Sequence, residues 1–165
     1  MFNDNVQFLA TAAQIVGVIL NVLVCGAAIW KGAHTERVAA ISIVVASILS
    51  PLVQNWTDWS SPQWNILIID AANLAVFLYL LVRTHRVWLL FGCAFQLLAV
   101  LSHIGMVIDP SIMSRAYIST LYVMFYGLMI ALAAGIWEGR RRDARARVAS
   151  PERNVLASAY EYPDA

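Results

Sequence analysis

Five long apolar runs, joined by short polar links, fill nearly all of the first 137 positions of this 165-residue chain. A bilayer's hydrocarbon core is about 30 Å thick, so a helix needs roughly 20 mainly apolar residues to cross it. The runs at 8–30, 38–54, 64–82, 87–108 and 116–137 meet that requirement. In lipid every backbone N–H and C=O must be satisfied within the protein, which makes helices the natural reading of such runs. Composition agrees: 61% of residues are hydrophobic and 13% charged, against about 45–50% and about 25% in soluble domains. Too few charges remain to coat a water-facing surface. A soluble globular enzyme and a disordered chain are therefore excluded, and two cysteines do not make a disulfide scaffold. The predicted fold is all-α, an integral membrane bundle of five transmembrane helices over 1–137. A basic, loosely ordered cytoplasmic tail is expected over 138–165.

Positive charge sets the expected orientation. Lys31 and Arg37 lie between the first two runs, Arg83 and Arg86 between the third and fourth, and six arginines follow Trp137. Ten of the eleven Lys and Arg residues thus share one side, and only Arg115 falls on the other. That places the N-terminus outside and the C-terminus inside. Residues 1–7 carry no positive charge, so the first run reads as a permanent span rather than a removed signal. Trp56, Trp59 and Trp64 on one side, and Trp30, Trp88 and Trp137 on the other, are expected as interfacial anchors.

Polar residues inside the runs are costly and therefore informative. Gln14 and Asn21 are seven apart on one face of the first run; Asp70 and Asn73 are three apart on the third; Gln96 and His103 share a stripe on the fourth; Ser119, Tyr122 and Tyr126 share one on the fifth. All these stripes are expected to face a common interior. At 1.5 Å per residue, Gln14, Ser50, Asp70, His103 and Tyr122 fall in one outer layer, and Asn21 and Gln96 in a deeper one. Asp70 and His103 are expected to meet, with Gln14 or Tyr122 completing their network. The binding candidates are therefore Asp70, His103, Gln14, Tyr122, Asn73, Gln96 and Asn21. Against this stands interhelical glue, worth about 0.6 kcal/mol per hydrogen bond in one measured membrane system. Glue is the preferred reading for Asn21 and Gln96.

No cofactor motif is legible, and no metal site either. His103 is the sole histidine within a run, while His34 and His85 lie at the opposite membrane face. Cys25 and Cys93 lack a paired CxxC spacing and read as packing residues. A net charge of +1 says nothing about nucleic acid, a glycine-rich phosphate loop is absent, and no nucleic-acid partner is expected. Arg140, Arg141, Arg142, Arg145 and Arg147 are expected to hold anionic lipid head groups.

The stretch WLLFGCAFQLLAVLSHIGMVIDPSIMSRAY, with TERVAA ahead of it, resembles small multi-pass inner-membrane proteins of alphaproteobacteria. The resemblance implies a bacterial inner membrane and no particular activity. Helix count and tryptophan content are also similar to the tryptophan-rich sensory proteins, but the proline- and tryptophan-rich loops of that family are missing. Three function classes follow: a small membrane protein that binds or conducts a small ligand or proton; an accessory or assembly subunit with a membrane protein partner or a second copy of itself; and an intramembrane enzyme using His103 and Asp70. The enzyme ranks last, because no nucleophile–base–orienter set is visible. A water-accessible cavity reaching Asp70 would favour binding, and a solid core would favour docking.

Overall fold

The computed structural model describes residues 2–54, 63–109 and 114–160, with side chains at 11–54, 63–109, 117–142, 144 and 145. Every element among them is a helix: α1 (Phe2–Lys31), α2 (His34–Val53), α3 (Trp64–Thr84), α4 (Val87–Ile108) and α5 (Ser114–Tyr160). Each contains a stretch long and apolar enough to cross a membrane, with mean hydropathy between 1.7 and 2.2. Links of two residues, Gly32 with Ala33 and His85 with Arg86, make α1 antiparallel to α2 and α3 antiparallel to α4. At the second link His85 takes a left-handed conformation (φ 50°) and donates its N–H to the Leu81 carbonyl at 2.9 Å, closing α3.

The helices form a ring in chain order. Each packs on the next, α5 returns to α1, and α2 also touches α5 through the middle. One end of the ring, here the amino-terminal end, holds the α2–α3 and α4–α5 connections. The carboxy-terminal end holds the two short links and the extension of α5. Phe77, Leu89, Met129 and Leu132 are fully buried at the centre. Lipid-facing helices gain no hydrophobic driving force from one another, so close fit has to replace it. Phe95 and Trp88 supply that fit by seating on Gly127 and Gly135 of α5, where a Cβ would lie 2.5 Å and 2.6 Å from ring atoms. The outer face of α1 (Ile15, Val18, Ile19, Val22) is left exposed for the hydrocarbon.

Three features differ from the sequence reading. First, α2 begins at His34, one turn before 38, and its Glu36 is completely buried against Arg86 of the α3–α4 link. A charge in the first turn hid this segment from an apolar scan. Second, Trp88 is a core residue at 3% exposure, edge-on to Phe77 at 6.3 Å. Trp30, Trp64 and Trp137 are exposed, as interfacial anchors are. Trp56 and Trp59 lie outside the described residues. Third, the basic stretch after Trp137 has a helical backbone through Tyr160. Its alanines, arginines and glutamates are good helix formers, and Arg142 pairs with Glu138 one turn back.

Candidate functional site

Gln96 and His103 lie two turns apart on the face of α4 that meets α3, and the Asp70 carboxylate reaches between them. Its Oδ2 is 2.9 Å from His103 Nε2. Gln96 Nε2 donates to Asp70 Oδ1 at 3.0 Å and to the Asp70 carbonyl at 3.2 Å. Asn73, one turn deeper on α3, donates through Nδ2 to Gln96 Oε1 at 3.2 Å. From α5, the Tyr117 hydroxyl stands 2.6 Å from His103 Nδ1, with the two rings edge-on at 5.4 Å. The result is one chain of contacts, Tyr117–His103–Asp70–Gln96–Asn73, drawn from three helices. The His103 side chain is 2% exposed and that of Asp70 21%.

The chemistry of the partners sets the protons. An ionised carboxylate only accepts, so against an ionised Asp70 His103 donates from Nε2. Neutral imidazole then accepts at Nδ1, and the Tyr117 O–H donates to it. One added proton reverses the outer half of the chain: Nδ1–H donates to the Tyr117 oxygen, and the Tyr117 O–H turns away from His103.

Tyr117 also borders a cleft of about 500 Å³, lined on its polar side by Gln14, Asn21, Gln54, Gln63 and Tyr122. That volume is within the range of small-molecule sites. A second cavity of about 160 Å³ meets Ser50, Asp70 and Gln96. Ile66, Leu121 and Phe125 border both spaces. Deeper still lies the apolar core, beginning at Phe77 one turn beyond Asn73.

Asp70, His103, Gln96 and Asn73 are thus brought together. Gln14 and Tyr122 are not part of their chain; both line the cleft beside Tyr117, from α1 and α5. Beside them the Tyr126 hydroxyl donates to the Ala13 carbonyl at 2.7 Å. Asn21 donates to Ser47 Oγ at 2.8 Å and accepts from Cys25 Sγ at 3.1 Å, which ties α1 to α2. Gln96 does not sit in a separate deeper layer, because its long side chain climbs back to Asp70.

Tyr117 takes the place expected of Gln14 or Tyr122. Five residues correspond to about 140° around a helix, so Tyr117 and Tyr122 point to different neighbours, α4 and α1. The tyrosine stripe followed only one of these faces. The signal for the other was present: Tyr117 opens the α5 span beside the end of α4, where His103 lies.

Arg140, Arg141, Arg142 and Arg145 are exposed at the far end of the bundle. The side chain of Arg147 lies outside the described residues. Among the described residues no group of three His, Cys, Asp or Glu side chains could hold a metal ion. Both ring nitrogens of His103 are already engaged within the protein. No family model, curated protein or solved structure matches the chain.

Proposed function

We propose that the protein is a small multi-pass protein of the bacterial inner membrane that binds a small ligand in the 500 Å³ cleft. In this reading, binding is linked to a proton on the Asp70–His103 pair. The observation carrying it is the double position of Tyr117, which borders the cleft and hydrogen-bonds His103. With the pair unprotonated, Tyr117 offers the cleft only a lone pair. With one more proton on the pair, it offers the cleft an O–H donor. A ligand group that accepts hydrogen bonds then binds with proton uptake, so its affinity rises as pH falls. Binding is favoured over conduction because the polar chain stops at Asn73, where the apolar cluster begins at Phe77. The two cavities weigh against a solid docking subunit.

The test is purification of the full chain in mild detergent, followed by solvent extraction and mass spectrometry of what accompanies it. A small molecule is expected with the wild type and is expected to be lost in Gly17→Phe, which fills the cleft from α1. Retention of the same molecule in a folded Gly17→Phe protein would sink the proposal.

The orientation proposed is N outside and C inside, with the arginine-rich end of α5 in the cytoplasm. Its support is the gathering of ten of the eleven Lys and Arg residues on one side. Reporter fusions after Asp58 and after Trp137 are expected to be external and cytoplasmic respectively. The reverse pattern would overturn the orientation.

A further inference from the structure

A third concavity lies at the other end of the molecule from Asp70, between the start of α4 and the extension of α5. It encloses about 480 Å³. Its floor is apolar and aromatic, built from Phe91 of α4 and Ala134 and Trp137 of α5, all exposed. Its rim is charged: Glu138, Arg141, Arg142 and Arg145 follow at intervals of three, one and three residues, so they share one face of α5. Glu138 pairs with Arg142. Arg141 lies over the Trp137 ring at 3.5 Å, and neither it nor Arg145 has a carboxylate partner among the described side chains. From Ala134 to Arg145 the helix rises about 16 Å. Since the apolar run of α5 gives way to charged residues directly after Trp137, and arginines and tryptophans favour the interface, the groove is placed from the edge of the hydrocarbon to the head-group level. His103, sixteen residues from Val87, is about 24 Å away along α4, so this place is separate from the Tyr117 cleft.

We infer that this groove holds one phospholipid with a net negative head group. An acyl chain lies along Phe91 and Ala134, and the phosphate is held by Arg141 and Arg145. The argument is charge complementarity combined with position. Two guanidinium groups with no carboxylate partner among the described side chains stand just past the apolar run of α5, over an apolar trough that opens to lipid. The stacked Arg141 is held in place by Trp137, which lowers the ordering cost of binding a planar fork to phosphate. This differs from diffuse attraction of a basic segment to an anionic leaflet, because Arg140 carries the same charge one residue away and does not border the groove.

Native mass spectrometry of the full chain, released from nanodiscs of equal phosphatidylglycerol and phosphatidylcholine, tests the inference. One retained phosphatidylglycerol per chain is expected. The double change Arg141→Gln with Arg145→Gln is expected to weaken retention about tenfold or more, and Arg140→Gln by less than about twofold. Ala134→Trp fills the floor without touching a charge and is expected to lose the lipid. Equal retention of phosphatidylcholine, an equal loss in Arg140→Gln, or full retention in a folded Ala134→Trp protein each overturns it. Displacement of the lipid by millimolar inorganic phosphate would mark a free-anion site instead, and would also overturn it. Capture of an acidic peptide in preference to phosphatidylglycerol would do the same.

Discussion

Arg86→Met is expected to destabilise the protein by about 3–5 kcal/mol, the usual cost of leaving one buried charge without its partner. Glu36 is completely buried in the first turn of α2, and Arg86 is its ion-pair partner. Only one carboxylate oxygen is engaged; Oε2 has no hydrogen-bond partner. Gly139 of α5 backs the pair, where a Cβ would come within 3.8 Å of Arg86 and 3.9 Å of Glu36. The pair therefore joins α2, the α3–α4 link and α5 at the carboxy-terminal end. Removing the guanidinium leaves a desolvated carboxylate against α5 with nothing to offset it. The double change Glu36→Met with Arg86→Met is expected to recover most of the loss, because an apolar pair of similar volume carries no desolvation penalty. Unfolding in mixed detergent, followed by circular dichroism, reads both. An Arg86→Met protein within about 1 kcal/mol of wild type would show that the pair contributes little.

Asp70→Asn is expected to move the imidazole proton of His103 from Nε2 to Nδ1 while the bundle stays folded. With the wild-type carboxylate ionised, Nε2–H is the donor that fits the 2.9 Å contact between His103 and Asp70. An asparagine keeps Oδ1 for the Gln96 donor and presents an amide NH₂ toward Nε2, so that nitrogen becomes the acceptor. The proton then sits on Nδ1 and donates to the Tyr117 oxygen, which frees the Tyr117 O–H for the cleft. The variant thus copies the protonated pair, and ligand binding in it is expected to lose its pH dependence. With only His34, His85 and His103 in the chain, nitrogen-15 NMR of labelled histidine resolves the tautomer directly. An unchanged Nε2–H tautomer in Asp70→Asn would remove the switching mechanism. It would leave Asp70, His103 and Tyr117 as interhelical glue.

The number of spanning segments and their approximate limits were legible in the sequence, because membrane crossing is a local requirement: about 20 apolar residues in a row satisfy it whatever surrounds them. The meeting of Asp70 with His103 was also legible. The two-residue link makes α3 and α4 antiparallel neighbours, and nearly equal distance from that link puts the two residues at similar height. Tertiary structure decided which side chains complete the site, since that depends on how each helix is rotated about its axis. Apolar stripes specify this rotation poorly when lipid is as apolar as the core. In this bundle the rotation follows from close seats such as Phe95 on Gly127 and Trp88 on Gly135. Those seats turn Tyr117 toward His103 and Tyr122 toward α1, bury Trp88, and leave Phe91 and Trp137 around an arginine-rimmed groove. Glu36 shows the same limit. Its charge marks it as a surface residue until Arg86, fifty positions away, is folded against it, and only that long-range pairing makes its burial affordable.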